Sequence, residues 1–277
     1  MKTGHFVLLC GLLAGMVAPV GANERFVDEI SGIEFVKIPG GCFAIGADRP
    51  GEPHPSWPIP MPAADEVPRH EVCVDAFWLG VTEVTRDQWT KVTGHVLYGS
   101  NMPVTDVSWE AAVKFTETLN EKHAKANSSG GFRLPTEAEW EFGCHAGNYK
   151  PAVQVYDSPG FNRLHEETFA LAWYRYRMWR DPTAKSVKGK HANAWGLYDM
   201  LGNLWEWTLD GYDASAYARH ARENPRQAAA DERRVLRGGS YKTDITKVRC
   251  GARSYAPAFD RSPLFGFRVA REVVPKK

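Results

Sequence analysis

The sequence lacks a surplus of charge of either sign: 34 Lys and Arg stand against 33 Asp and Glu over 277 residues. Holding a polyanion or an anionic membrane surface takes a basic excess, so nucleic acid is not an expected partner. Cysteine is scarce, with five in the chain, and no two lie close enough to form a Cys-X-X-Cys redox or zinc motif. Histidine is thinly scattered, which argues against a histidine-rich metal cluster. No internal repeat, low-complexity tract or linker divides the chain. No apolar run matches the roughly 20 residues of a stable membrane span, so none is expected in the mature chain. These absences leave a single globular unit as the simplest reading.

What is abundant is aromatic. Phe, Trp and Tyr make up 12% of the chain, with 10 Trp, beside 25 Gly and 18 Pro. Large rings between irregular turns predict a loop-rich interior. At the start, Lys2, the mostly apolar run Phe6 to Val20 and the small residues Val20-Gly21-Ala22 read as a cleaved secretory signal. Residues 1–22 are therefore expected to be a signal peptide, and 23–277 one domain exported to the periplasm. Removing the signal takes Cys10 and leaves Cys42, Cys73, Cys144 and Cys250. An even number in an oxidising compartment suggests disulfides, and four cysteines allow three connectivities.

Along the chain, Phe35 to Gly46 reads as two short strands around Pro39-Gly40, and the alternation from His70 to Phe77 as one strand. Asp48 to Pro68, dense in proline, reads as an extended surface loop. Thr85 is an N-cap for a short helix through Trp89, Ser108 for a longer one from Trp109 to about Lys122, and Thr136-Glu137-Ala138-Glu139 is a capping box opening a third. From Gly147 to about Lys190 no period is sustained, and Val235 to Val269 suits short closing strands. Helices and strands interspersed without βαβ regularity predict an α+β fold.

Several stretches, in order, resemble the formylglycine-generating-enzyme (sulfatase-modifying-factor) family. They are Phe35 to Gly41, Gly80 to Thr85, Pro103 to Trp109, Arg133 to Glu141, Asn193 to Trp207, Arg237-Gly238-Gly239-Ser240 and Gly266-Phe267-Arg268-Val269. The resemblance covers almost the whole mature chain and implies an α+β, C-type-lectin-like fold in a single domain. It also implies the bridge Cys144–Cys250, at positions where family members carry a structural disulfide, and with it Cys42–Cys73.

The resemblance implies a structural calcium ion at Leu201, Gly202, Asn203, Leu204 and Glu206, whose carbonyl, amide and carboxylate oxygens are hard ligands suited to calcium and not to zinc or copper. The plainer alternative is that Asn203 and Glu206 satisfy buried backbone between the tryptophans. In the family's enzymes one cysteine lies three residues past the Arg-Gly-Gly-Ser serine and a second five further on, and the pair binds copper(I). Here Thr243 and Val248 occupy those places. A hydroxyl and an aliphatic group cannot bind copper(I) as two thiolates do, so neither copper nor formylglycine generation is expected. A second branch needs a three-histidine iron domain that this chain is too short to hold.

Ser240, Thr243 and Asp244 are the residues expected to line the pocket. The resemblance then implies two functions. One is an exported, non-catalytic regulator similar to the activator of the membrane Ser/Thr kinase controlling type VI secretion, its partner being the periplasmic domain of that kinase. The other is a periplasmic tailoring oxidase acting on a peptide or siderophore precursor, with Asp244 or Asp260 as its acidic group. For the regulator, the expected contact surfaces are the loop around Trp57 and an exposed segment from Tyr174 to Arg180, since aromatic and Arg residues anchor interfaces.

Overall fold

The computed structural model describes residues 23–48, 63–147, 168–175 and 183–273. The expected signal peptide 1–22, the loop around Trp57 and residues 176–180 lie outside them. Each of the three helices expected from the sequence begins at its marked cap. Thr85 opens α1 (Arg86–Thr93), its hydroxyl accepting from Gln88 N at 3.3 Å while Gln88 Oε1 accepts from Thr85 N at 2.9 Å. Ser108 opens α2 (Trp109–Lys125) through Ala111 N. Thr136 and Glu139 form the reciprocal box at α3 (Glu137–His145). α1 and α2 run further than periodicity marked, α1 ending where Gly94 turns left-handed.

The strands are β1 (Arg25–Val27), β2 (Glu34–Ile38), β3 (Gly41–Ile45), β4 (His70–Val74), β5 (Phe77–Gly80), β6 (Phe132–Arg133), β7 (Trp205–Gly211), β8 (Arg233–Arg237), β9 (Arg253–Pro257), β10 (Phe265–Gly266) and β11 (Ala270–Glu272). They build a five-stranded sheet, β1-β2-β5-β11-β6, a four-stranded sheet, β10-β7-β8-β9, and the pair β3-β4. This is the α+β architecture expected. The alternation through His70 to Phe77 is corrected in one respect: it holds two strands in two sheets. Asp75 breaks it, because its N–H donates to Asn224 Oδ1 at 2.8 Å and its carboxylate accepts from Asn224 Nδ2 at 2.9 Å. A side chain 149 residues away sets that break, and period-2 patterning cannot register it.

Rings fill the core as the composition implied. α2 lays Phe115 on Phe267 with centroids 5.3 Å apart, and Phe35 meets Phe132 at 5.7 Å. Each such ring, fully buried, is worth about 1.5–3 kcal/mol. α3 is different, since every residue from Glu137 to Cys144 is buried, three glutamates included. Those glutamates need cations from elsewhere in the chain, and strands β8, β9 and β6 bring them.

Candidate functional site

The turn leading into β7 is locked by backbone geometry. Gly202 has φ +77°, and a Cβ there would lie 2.0 Å from Trp173 O. Only glycine lets segment 168–175 come this close, and Asn203 N then donates to that carbonyl at 2.8 Å. Asp199 and Asn203 also sit at positive φ, which Asp and Asn tolerate best after glycine.

Around this turn three carboxylates, Glu83, Asp199 and Glu206, are buried with one guanidinium, Arg268. Glu206 accepts from Arg268 Nε and Nη2 at 2.6 and 2.7 Å and from Trp140 Nε1 at 2.8 Å. Oε2 takes two of these bonds and Oε1 one, leaving a lone pair on Oε1. Asn203 is held by the scaffold: Oδ1 accepts from Lys185 N at 2.9 Å, and Nδ2 donates to Glu83 Oε2 at 2.6 Å. Leu204 N donates to Glu83 Oε1 at 3.0 Å. Burial, reinforced by Asp199 and Glu206, pushes the Glu83 carboxyl well above the usual range. Burial likewise raises Asp199 to about 6. Asp199 Oδ2 accepts from Lys188 N at 2.8 Å, but its Oδ1 is buried without a hydrogen-bond partner.

An excess of buried acid with an unmet oxygen fits a hard cation of the calcium type. Among the described residues no three acidic, histidine or cysteine side chains converge closely enough to hold an ion alone. Carbonyls of the Leu201–Leu204 turn would have to complete the set. Asn203 Oδ1 is already engaged by Lys185 N, whereas Asp199, a carboxylate that sequence patterning did not single out although it stands three residues before Gly202, keeps an unbonded oxygen.

A second buried network holds α3. Arg237 Nη1 donates to Glu137 Oε1 at 3.1 Å, and its Nη2 pairs with Glu141 and reaches Cys250 O at 2.7 Å. Arg253 grips both oxygens of Glu137 at 2.7 and 2.9 Å. Burial alone would raise Glu141, but the Arg237 guanidinium, helped by His145, outweighs it and holds the carboxyl at about 2. His145 thus serves as a partner of Glu141, 3.7 Å away. Disulfides Cys144–Cys250 and Cys42–Cys73 are both formed, the second between directly opposed residues of β3 and β4.

This frame presents Ser240 and the segment after it. Thr243 Oγ1 accepts from Ser240 N at 2.8 Å and lies 3.0 Å from Ser240 Oγ. Asp244 Oδ1 accepts from Thr246 N and Oγ1 at 3.1 and 3.0 Å, and Oδ2 pairs with Arg175 at 2.7 Å. Burial would raise the Asp244 carboxyl, but Arg175 and Thr246 bring it below the usual range. Val248 packs with Ala172, Tyr174 and Ile245. The segment therefore brings together two hydroxyls, a carboxylate paired with Arg175 and an apolar contact, and it carries no thiolate at Thr243 or Val248. Tyr174 corrects the expectation of an exposed segment beginning there: it is 4% exposed and drawn into this apolar cluster, whereas Arg175, the other described residue of that segment, is exposed. Asp260 lies apart, its N–H closing a turn on Pro257 O.

The sulfatase-modifying factor enzyme 1-like domain profile matches residues 23–273. The chain is 31% identical to a mouse formylglycine-generating enzyme over 269 residues, 89% of this chain and 65% of the mouse one. It is 28% identical to the serine/threonine-protein kinase pkn1 of Chlamydia caviae over 277 residues, 87% of this chain and 38% of the kinase. It thus spans less than two thirds of either relative. In three dimensions it is similar to PvdO from Pseudomonas aeruginosa, with a TM-score of 0.74, 24% identity, and coverage of 91% of this chain and 99% of that one.

Proposed function

We propose, from the premise that this chain belongs to the sulfatase-modifying factor enzyme 1-like domain family, that it is an exported, non-catalytic binding protein regulating a membrane serine/threonine kinase through the kinase's periplasmic domain. The observation that carries the reading is at Thr243 and Val248. The positions expected to hold a copper-binding thiolate pair hold a hydroxyl bonded to Ser240 and a methyl-bearing side chain packed in an apolar cluster. Copper(I) needs soft sulfur ligands, and neither position offers one. All four cysteines of the expected mature chain are bridged, which suits an oxidising compartment. The likeness to a chlamydial kinase, 38% of whose length matches this chain, supports a kinase context. Crosslinking the tagged full chain in the periplasm should recover the periplasmic domain of a membrane kinase, identified by mass spectrometry. Formation of a mass-shifted peptide product in the presence of oxygen would overturn the reading.

The same proposal includes a structural calcium ion held by Asp199, Glu206 and carbonyls of the Leu201–Leu204 turn. Such an ion neutralises buried acid and stabilises the folded state by its binding free energy, about 2.7 kcal/mol at a hundredfold excess over Kd. Chelation should lower the melting temperature of the wild type and leave Asp199→Asn unaffected. An unchanged wild-type melting temperature, with no metal found by elemental analysis, removes the ion from the proposal.

A further inference from the structure

The loop Gly94–Asn101 between α1 and β-bridge residue Pro103 is exposed throughout, and it carries Val96, Leu97 and Tyr98 at 68%, 39% and 87% exposure. Among the described residues this is the one run of three consecutive exposed large hydrophobics. The loop is not loose. Thr90 Oγ1 bonds His95 O at 3.0 Å and Leu97 N at 3.0 Å, Arg86 donates to Tyr98 O at 3.1 Å, and Met102 N closes on Gly99 O at 3.0 Å. A backbone held this firmly while its apolar side chains face water marks an interaction surface, because nothing in the fold gains from their exposure.

Beside the loop lies a cleft of about 530 Å³ between α1 and α2. Its floor is aromatic, with Trp89 stacked on Phe115 at 5.5 Å and Val104 and Val107 beside them. Its rim is polar, and charge decides what could sit there. Lys114 is shared between Glu117 and Glu121 at 3.4 and 3.6 Å. Asp106, the one acid lining the cleft, takes a hydrogen bond from Thr105 at 3.1 Å. Arg261 lines the cleft, is exposed and makes no ion pair among the described residues. Phe259, two residues before it, is 61% exposed. An aromatic floor with an unpaired guanidinium at its edge complements an apolar side chain followed by a carboxylate.

We propose that this cleft and the Val96–Tyr98 loop are the docking site for an acidic, apolar-anchored peptide segment of a protein partner. The proposal rests on reading the chain as a binding protein and names the surface it uses, whose lining includes neither Ser240 nor Thr243. An apolar anchor enters over Trp89 and Leu97, and a neighbouring carboxylate meets Arg261. A cleft within the usual few hundred to 1,000 Å³ range of ligand sites accommodates one such side chain with its flanking backbone.

The test is titration of the 15N-labelled full chain with acetyl-Asp-Leu-Glu-Phe-amide and, separately, acetyl-Lys-Leu-Lys-Phe-amide, followed by NMR. The acidic peptide should shift the amides of Leu97, Thr118 and Arg261 saturably, and the basic peptide should leave them in place. Arg261→Glu, at an exposed unpaired position that should not disturb folding, should weaken the acidic peptide about tenfold, whereas the distant charge reversal Lys125→Glu should not. No saturable shift, equal binding of both peptides, or an unaltered affinity in Arg261→Glu would each overturn the proposal. Periplasmic crosslinking with Leu97→Asp separates this surface from the broader reading. Undiminished capture of the kinase domain by that variant discards the cleft and keeps the regulator. Absence of capture by the wild type discards the kinase as partner, and the peptide titration still decides the cleft.

Discussion

Glu141 shows how much depends on single buried charges. It ionises near 4.5 when exposed and at about 2 in the fold, where Arg237 outweighs the penalty of burial. That displacement corresponds to about 3 kcal/mol of stability linked to its ionised form. The folded carboxyl binds its proton more weakly than the unfolded one. The contribution is therefore present above pH 4.5 and is lost as pH falls towards 2. Urea unfolding measured between pH 2 and 6 should show this loss, and Glu141→Gln should flatten it. At neutral pH the same substitution should cost about 3 kcal/mol, because Arg237 is left undercompensated in the interior. A slope unchanged in the variant would show that other carboxylates carry the acid sensitivity. These pairs were not legible in the sequence: Glu141 and Arg237 are 96 residues apart, Glu137 and Arg253 116 apart. Thr243 and Val248, by contrast, could be placed by counting from Ser240. Asp199 fell between the two cases, adjacent to a recognised turn yet recognisable only by its unbonded oxygen.

At the scale of elements, what was legible is what is local. The helices α1, α2 and α3 begin at residues whose side chains bond to the backbone three positions on, so the signal and its structure lie within one turn. The break between β4 and β5 depends on Asn224 and left no mark in the period-2 pattern. Segment 168–175 depends in the same way on a distant residue. Its docking against the turn before β7 needs a glycine at 202, since a Cβ there would collide with Trp173 O and the backbone is left-handed. Gly202→Ala should therefore destabilise the protein by about 2 kcal/mol or more, from strain and clash together. Hydrogen exchange should show where the loss falls, with the Asn203 amide, donated to Trp173 O, losing protection before the amides of α2. Uniform loss across both would mean that the turn and the segment do not move as a unit.

For the molecule as a whole, the two disulfides hold different spans of chain. Cys42–Cys73 closes 31 residues and Cys144–Cys250 closes 106. In the chain-entropy account these loops correspond to about 4 and about 5 kcal/mol of destabilised unfolded state. The second bridge has a further role, because Cys250 O accepts from Arg237, whose Nη2 also pairs with Glu141. Opening it frees the segment before β9 from α3 and admits water to the buried charges. The double variant Cys144→Ser/Cys250→Ser should accordingly melt lower than Cys42→Ser/Cys73→Ser, by more than the entropic difference alone. Accessibility orders their reduction the other way. Cys42 is exposed on β3, whereas Cys144 is buried in α3, and thiol attack requires access to sulfur. A mild dithiol reductant, with alkylation and peptide mass analysis over time, should find Cys42 and Cys73 labelled first while the protein keeps most of its stability. Cys144 and Cys250 should be labelled only as cooperative unfolding begins. Simultaneous labelling of all four would mean that the small β3-β4 pair and the α3 network unfold as one unit, and that the covalent frame is not divided in this way.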